Sequence, residues 1–332
     1  MLSQYLDWYN MVEEVLKSNV VNAKEYRDVK RVVVVGMGGS GIVGDFLSVI
    51  AQNYSTIPLL TFKDFYVSKS FVDNNTFVLS ISYSGNTLET VAATLQLLKR
   101  GIPVGVVASG GELVDIARRF SLPHIVVRSG LAPRSAMPLM LVASIKLLSS
   151  CGIEVVPQDT LKSSITILRN TDHAKKIGDE LADFLENSKI PLIVATSRYS
   201  SLAIRFKNEL NENAKMPVKI EIIPELFHND IVGWERFHAD DKAIVIDSDV
   251  EYEKMLLNFY ADYLKDIGFT IYYLQLSGNI IERLLFGSLV AGIASVRIAE
   301  KLGFDPLQTR SIVKYKEFLK KYREDILKNI LG

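Results

Sequence analysis

The chain has 332 residues, enough for two domains of ordinary size, and 48% of them are hydrophobic. Its 38 basic residues balance 38 acidic ones, so no overall field attracts nucleic acid or an anionic membrane. The single cysteine, Cys151, excludes an intramolecular disulfide. The first residues lack the blocks of a signal peptide, and no apolar run approaches the roughly 20 residues of a membrane-spanning helix. We therefore expect a cytoplasmic protein that binds a small ligand, with no nucleic-acid or membrane partner.

The first half alternates short apolar runs with helical patterns. After an amphipathic helix over about residues 2 to 18, we predict the strands RVVVVG, IPLLT, TFVLSIS, IPVGVVA and LPHIVV. Continuous runs of Val, Ile and Leu are typical of a parallel sheet that is covered on both faces. The intervening segment NTLETVAATLQLLKR predicts a helix that ends before Gly101 and Pro103. These patterns indicate an α/β layered fold.

A second series of strands begins near residue 190 with IPLIVA, MPVKIEII, KAIVID and FTIYYLQL. When the two series are superimposed, Gly36 matches Thr196 and Phe46 matches Phe206. We therefore predict two similar αβα three-layer domains with mainly parallel sheets: residues 1–153 with the leading helix, and residues 154–332 with the C-terminal helix. The second turn has lost the glycines, so only the first half is expected to hold a phosphate with its backbone.

The turn in RVVVVGMGGSGIVGDF (residues 31–46) carries Gly36, Gly38 and Gly41 at the spacing of a dinucleotide-binding motif. In that motif an acidic residue ends the second strand and binds the ribose. Here the second strand ends at Thr61 and Phe62 instead. A nicotinamide or flavin cofactor is therefore disfavoured, and another phosphorylated ligand is favoured.

A second turn, in SISYSGNTLET (residues 80–90), places the hydroxyls of Ser82, Ser84 and Thr87 directly before a helix. A helix N-terminus offers backbone N–H donors and a positive dipole end, so neutral groups can bind a phosphate there. The alternative is that Ser84 or Asn86 only caps the helix. Both turns follow neighbouring strands at the carboxyl edge of the sheet, where open α/β sheets bind ligands.

These motifs, GMGGSG and SYSGNT, resemble the sugar isomerase (SIS) domain. The two-domain arrangement is similar to that of the bifunctional phosphoglucose/phosphomannose isomerases of archaea and some bacteria. The similarity covers almost the whole chain and includes APRSA (132–136), KNELNENAK (207–215), FHND (227–230) and DPLQTRSIVKYKEFL (305–319). It implies two SIS-type αβα sandwiches and an enzyme that interconverts glucose 6-phosphate and mannose 6-phosphate with fructose 6-phosphate. The reaction would pass through a cis-enediol, with no metal and no organic cofactor.

The resemblance also implies roles for individual residues. Glu212 would move the proton between C1 and C2, His228 and Lys316 would open the sugar ring, and Arg134 would stabilise the enediolate. Thr309 resembles the residue that family members use near C2 to accept both epimers. The implied phosphate ligands are Gly38, Gly39, Ser40, Ser82, Ser84 and Thr87. In related isomerases the histidine reaches the neighbouring subunit's site, which implies a homodimer with His228 donated across the interface.

The residues themselves support these roles unevenly. Lys316 borders an apolar stripe on a long C-terminal helix, where a lysine can also simply extend to water; the stripe comprises Ile312, Tyr315, Leu319, Tyr322 and Ile326. By helical spacing Glu209 lies at least as near the packed face as Glu212, and only the family motif selects Glu212. Arg134 is equally well explained as a surface arginine. The four histidines lack metal-ligand spacing, so we predict no zinc site.

Two other function classes are weaker. A non-catalytic sugar-phosphate regulator of this family usually carries a DNA-binding helix-turn-helix, and only about 30 residues precede the first strand. The isomerase half of an amidotransferase would need a glutaminase domain with an N-terminal cysteine, whereas this chain begins Met1-Leu2-Ser3.

Overall fold

Nine strands form two parallel sheets in residues 1–236 and 240–331, which are the residues that the computed structural model describes. The strands are β1 (Arg31–Val35), β2 (Leu59–Phe62), β3 (Thr76–Ser82), β4 (Val104–Ala108), β5 (His124–Val126), β6 (Leu192–Thr196), β7 (Lys219–Ile223), β8 (Lys242–Ile246) and β9 (Thr270–Leu274). Seven lie within the predicted segments, and β2 and β6 each extend one residue beyond them, to Phe62 and Thr196. The described residues divide into two compact units, one around each sheet.

The first-sheet unit comprises Asp7–Ser163 and the chain from Thr309 onward. Its sheet has the order β2-β1-β3-β4-β5. Its helices are α2 (Trp8–Lys17), α3 (Gly38–Tyr54), α4 (Leu88–Lys99), α5 (Gly111–Arg119), α6 (Met137–Ser150), α13 (Arg310–Lys321) and α14 (Arg323–Leu331), with α7 (Gln158–Ser164) at its boundary.

Alternate valines of β1 face opposite helix layers, which explains why the strand is apolar throughout. Val33 and Val35 pack in one buried cluster with residues of α4 and α5. Val34 faces α3, whose Gly44 is so close that a Cβ would lie 2.9 Å from the valine side chain. Helix α6 packs beside α3 and α2. The unit therefore has the predicted αβα layers.

The second-sheet unit comprises Met1–Leu6 and Ser164–Gln308, with strand order β7-β6-β8-β9. Its helices are α1 (Leu2–Leu6), α8 (Thr171–Leu185), α9 (Ser200–Asn213), α10 (Asp230–Gly233), α11 (Glu251–Asp266) and α12 (Ile280–Lys301). Helix α11 covers one face of the sheet through Leu257 and Ala261. The buried helix α12, which begins with a capping box formed by Asn279 and Glu282, packs against α8 and α9. This unit is also an αβα sandwich.

Both chain ends differ from the single helices expected there. The segment over residues 2 to 18 forms α1 and α2, which belong to different units. The C-terminal pattern forms α13 and α14, with Tyr322 between them, and both belong to the first-sheet unit. The predicted division between residues 153 and 154 stays a prediction about sequence domains. No helix in the described part of the chain is both long and apolar enough to cross a bilayer.

Candidate active site

The glycine turn, residues 36–41, connects β1 to α3 in the first-sheet unit. Gly38 has a φ of +50°, in the left-handed region that favours glycine. The N-cap residue of α3 is Met37, which has no side-chain oxygen to cap the helix. The first N–H groups of α3 therefore face the turn as donors for an anion.

The hydroxyl turn, residues 82–87, connects β3 to α4 in the same way. Gly85 has a φ of +68°, and a Cβ there would lie 1.8 Å from the carbonyl oxygen of Gly110. Thr87 is the N-cap residue of α4, but its side chain accepts a hydrogen bond from Ser82 Oγ at 2.9 Å and does not cap the helix. The side chain of Asn86 accepts from the backbone N–H of Glu112, in α5, at 3.0 Å. Capping of α4 therefore does not explain these side chains.

The two turns are in direct contact. The backbone N–H of Tyr83 donates to Ser40 Oγ at 3.1 Å. This contact follows from the topology, because β1 and β3 are adjacent parallel strands with Val35 beside Ser80. The structure thus brings together, at the N-termini of α3 and α4, the two turns that contain all six residues assigned to phosphate binding.

Arg134 lies beside the glycine turn. It is only 4% exposed, so the alternative of a surface arginine is wrong. A Cβ on Gly39 would lie 3.0 Å from the carbonyl oxygen of Pro133 and 3.2 Å from the Cα of Arg134, so only glycine lets the two loops approach this closely. The backbone of Arg134 therefore lies against Gly39, one of the predicted phosphate ligands.

Helix α13 carries Thr309 at its N-cap position and Lys316 on its exposed surface. Of the apolar stripe residues on α13, only Leu319 is buried. Tyr315 instead donates its hydroxyl to Glu89, in the first turn of α4, at 2.9 Å. This hydrogen bond connects the helix of Lys316 to the helix that begins at the hydroxyl turn.

The two candidate bases on α9, Glu209 and Glu212, differ in burial within the second-sheet unit. Glu209 is fully buried, where it forms an ion pair with Arg205. It also accepts hydrogen bonds from Tyr5 Oη at 2.5 Å and from Asn213 Nδ2 at 2.8 Å. Burial, followed by the charge of Glu209, raises the pKa of Tyr5 and keeps its hydroxyl a donor. Glu212 is only half-buried.

Sequence reasoning missed this buried network, although α9 carries a signal for it. Arg205, Glu209 and Asn213 recur every four residues and therefore share one helix face. The distant partners Tyr5 and Ser295 left no local pattern; Ser295 accepts from Asn213 at 2.9 Å.

His228 ends a short 3-10 helix, Glu225–His228, and is exposed. His238 lies outside the described residues. Among the described residues, no group of three or more His, Cys, Asp and Glu side chains is arranged to hold a metal ion.

In the second-sheet unit, the side chain of Glu253 occupies the position that corresponds to the predicted phosphate site. Val34 pairs with Leu79, and Val194 pairs with Val245, so the superposition of Gly36 on Thr196 matches Ser82 with Ser248 and Thr87 with Glu253. The carboxylate of Glu253, which is 8% exposed, accepts hydrogen bonds from Ser248 Oγ and from Thr196 Oγ1, the latter at 2.8 Å. A side-chain anion therefore stands where the first sheet would bind an external one.

Two family models match the chain. The SIS domain matches residues 25–148, and the bacterial phospho-glucose isomerase C-terminal SIS domain matches residues 174–319. The bifunctional phosphoglucose/phosphomannose isomerase of Aquifex aeolicus is 32% identical over 90% of this chain and 93% of its own length. The enzyme of that name from Aeropyrum pernix is 33% identical over 95% and 96%.

A relative with a different name is the D-glucosamine-6-phosphate 4-epimerase of Sulfolobus acidocaldarius, 29% identical over 96% of this chain and 97% of its own length. Among solved structures, the C-terminal domain of glucosamine-fructose-6-phosphate aminotransferase from Francisella tularensis superimposes with a TM-score of 0.71 at 13% identity. It covers 92% of this chain and 96% of that one. This structural similarity supports the fold alone.

Proposed function

The chain belongs to the family of bifunctional phosphoglucose/phosphomannose isomerases, and from this we propose that it interconverts glucose 6-phosphate and mannose 6-phosphate with fructose 6-phosphate. It is an enzyme, an isomerase. The observation that carries the choice of substrate is the pair of touching turns at two uncapped helix N-termini. We propose a cytoplasmic location, which suits the single, buried cysteine.

In this proposal the two turns bind the phosphate of the hexose. Gly38 and Gly39 offer backbone N–H groups, and the hydroxyls come from Ser40, Ser82, Ser84 and Thr87. The dipoles of α3 and α4 both favour an anion between the turns. Neutral donors compete poorly with water for a sugar hydroxyl but bind a dianionic phosphate well, because hydrogen bonds to a charged acceptor are the stronger ones.

Glu212 is the proposed base that removes the proton at C2 and returns it at C1. A half-buried carboxylate can reach a ligand and still exchange its proton, whereas Glu209 is committed to Arg205 and Tyr5. The buried guanidinium of Arg134 would stabilise the negative charge that develops on the enediolate oxygens. Thr309 would lie near C2 and allow both epimers to bind.

His228 and Lys316 would open the ring before the proton transfer. An imidazole can exchange a proton with the ring oxygen near neutral pH, and a lysine can donate to the hydroxyl at C1. Both side chains are exposed on their own units, so each is accessible to a substrate.

We further propose a homodimer in which His228 serves the partner's site. Large apolar side chains are exposed on two helices, which supports an interface between copies. Helix α13 exposes Tyr315 and Phe318, and Tyr322 is exposed directly after it. Helix α11 exposes Tyr252, Met255 and Phe259; the last of these contacts Phe227, the neighbour of His228.

The direct test is an assay of the purified protein with each aldose phosphate in the presence of EDTA. Fructose 6-phosphate should form from both. Binding of either substrate without turnover would instead indicate a non-catalytic regulator. Incubation with glucosamine 6-phosphate is the matched assay for epimerisation at C4, and we expect no product there.

A further inference from the structure

The segment that carries His228, residues 225–234, lies against the second sheet between two aromatic anchors. At one end, the ring of Phe227 meets that of Tyr260 edge to face, with centroids 5.8 Å apart. At the other end, the ring of Trp234 meets that of Phe269 at 5.3 Å. His228 directly follows the first anchor, so its position depends on how firmly this segment is held.

A buried carboxylate connects the two anchors. The side chain of Glu221, on β7, is fully buried and accepts hydrogen bonds from Tyr260 Oη and from Trp234 Nε1, the latter at 2.8 Å. It also forms an ion pair with Lys219, whose ammonium lies 4.8 Å from the centre of the Trp234 ring. One carboxylate thus fixes Tyr260, which supports Phe227, and Trp234, which ends the segment.

Further contacts restrain the residues between the anchors. Lys219 reaches Asp230 at 3.5 Å, and Tyr263 Oη donates to the carbonyl oxygen of Ile231 at 3.3 Å. The side chain of Asn229 accepts from the N–H of Asp230 at 2.6 Å and caps α10. Burial, followed by the hydrogen bond to Glu221, raises the pKa of Tyr260, so this hydroxyl remains a donor throughout the neutral range.

Packing alone would not require a carboxylate at position 221. A buried charge costs free energy unless it is paired and hydrogen-bonded, and an apolar group of similar shape often stabilises a fold as well. Its advantage is directional: hydrogen bonds fix the angle of the tyrosine and tryptophan side chains, whereas apolar contacts tolerate sliding.

We propose that Glu221 is a positioning residue for ring opening, because it holds the segment that aims His228 through Trp234 and Tyr260. The inference rests on the proposed function, which gives His228 the ring-opening role. The inference adds Glu221, Trp234 and Tyr260 as residues that act without touching the substrate. Ring opening should be more sensitive to them than the proton transfer that Glu212 performs.

The experiment compares two reactions in the Tyr260→Phe and Trp234→Phe variants. The first is isomerisation of glucose 6-phosphate, which must open its ring. The second is exchange of the C2 proton of D-erythrose 4-phosphate with deuterated solvent; this aldose is open-chain, because its phosphate occupies the hydroxyl that would close the ring. Glu221→Gln, which keeps the shape of the side chain, is a third variant.

We expect isomerisation to fall at least about 10-fold, since a small displacement of a reacting group costs that much or more, while exchange stays within about twofold of wild type. Tyr199→Phe is the matched control, because this buried tyrosine of the same unit also donates to a carboxylate, Asp249, at 2.6 Å. It should leave the ratio of the two rates unchanged.

The outcomes distinguish a failure of the positioning role of Glu221 from a failure of the ring-opening role of His228. If the variants lose both reactions in parallel, or lose neither, Glu221 does not position the ring-opening group. His228→Ala must itself show the selective loss of isomerisation. If it does not, the role proposed for His228 is wrong and the inference falls with it. Urea unfolding confirms that the assayed variants are folded.

Discussion

At the scale of single residues, Glu209 and Glu212 show how burial separates two similar side chains. They lie three positions apart on α9, yet one is fully enclosed beside Arg205 and the other is half-buried. A buried carboxylate that already binds a guanidinium and a phenol is a poor candidate for a general base, and this is why we propose the more exposed Glu212 for that role.

We expect Glu212→Gln to lower kcat at least about 100-fold with a modest change in KM, the scale of a lost general base. Glu209→Gln should leave kcat of the folded protein nearly unchanged. Because it removes the charge that pairs with Arg205, it should instead reduce the free energy of unfolding by about 3 kcal/mol. Steady-state kinetics and urea unfolding of both variants measure these effects. The opposite pattern, with Glu209→Gln inactive but stable, would reverse the assignment.

Replacement of Thr87 by Val tests the phosphate site. In the proposed site the Thr87 hydroxyl would bind the phosphate equally in the ground state and the transition state, so KM should rise several-fold to about 10-fold while kcat changes little. Thr270→Val, at an exposed position of β9, is the control and should behave as wild type. A fall in kcat at constant KM would place Thr87 at the reacting carbons instead.

The sequence predicted that the two turns lie together, because a turn after a buried strand restricts where its hydroxyls can lie. The glycines and hydroxyls of both turns are local features, and the edge of a parallel sheet brings them together. The burial of Arg134 could not be read in the same way, because it depends on the contact of Pro133 with Gly39, almost a hundred residues earlier.

At the scale of secondary-structure elements, the turn after β6 explains why the second half can lack glycines. Glu253 accepts the hydroxyl donors that would otherwise face a ligand, and its charge lies in the first turn of α11, where the helix dipole favours it. Because Glu253 already accepts these hydrogen bonds, the turn after β6 does not need glycines to let its backbone approach a phosphate.

A phosphorylated six-carbon acid should therefore bind with one molecule per chain in calorimetric titration. Glu253→Gln should lower the free energy of unfolding by about 1 to 3 kcal/mol, because it weakens hydrogen bonds to a buried charged acceptor, while kcat is retained. Glu251→Gln, an exposed change on the same helix, is the control. Two bound molecules per chain in the wild type would contradict this account.

The amphipathic pattern predicted one long C-terminal helix, whereas the structure has α13 and α14, and of the stripe residues on α13 only Leu319 is buried. Periodicity identifies an apolar face without identifying what covers it. The contact that fixes α13 within its unit is the polar one between Tyr315 and Glu89, which no periodic pattern contains.

Tyr315→Phe should lower kcat about 3- to 10-fold, because Lys316 follows this anchor directly and loses a fixed position. Burial and the hydrogen bond to Glu89 raise the pKa of Tyr315 to about 12, so the phenol donates over the whole neutral range. The ratio of wild-type to variant rates should accordingly be the same at about pH 6 and about pH 9. Tyr66→Phe, an exposed change elsewhere in the same unit, is the control. Equal rates for Tyr315→Phe and wild type would remove the anchor from the mechanism.

At the scale of the whole molecule, the parallel pairing followed from the apolar runs, and the repeat indicated two sheets. The sequence did not indicate which unit each chain end belongs to. Met1–Leu6 belongs to the second-sheet unit, and the chain from Thr309 onward belongs to the first-sheet unit. Tyr5 explains the first of these contacts: it lies against Gly292 of α12 and bonds to Glu209, 204 residues away. Long-range pairs of this kind leave no periodic signal in the sequence.

The dimer proposal makes the last prediction. Glu212→Gln and His228→Ala should each be inactive alone. In a mixed dimer, one site would combine the intact Glu212 of one chain with the intact His228 of its partner, so mixing under exchange conditions should restore up to about a quarter of wild-type activity at equal amounts. Mixing Glu212→Gln with a Glu212→Gln, His228→Ala double variant is the control and should restore none, because no chain then supplies the base. Absence of recovery in the first mixture, with subunit exchange verified by a tag on one variant, would show that each site takes both residues from one chain.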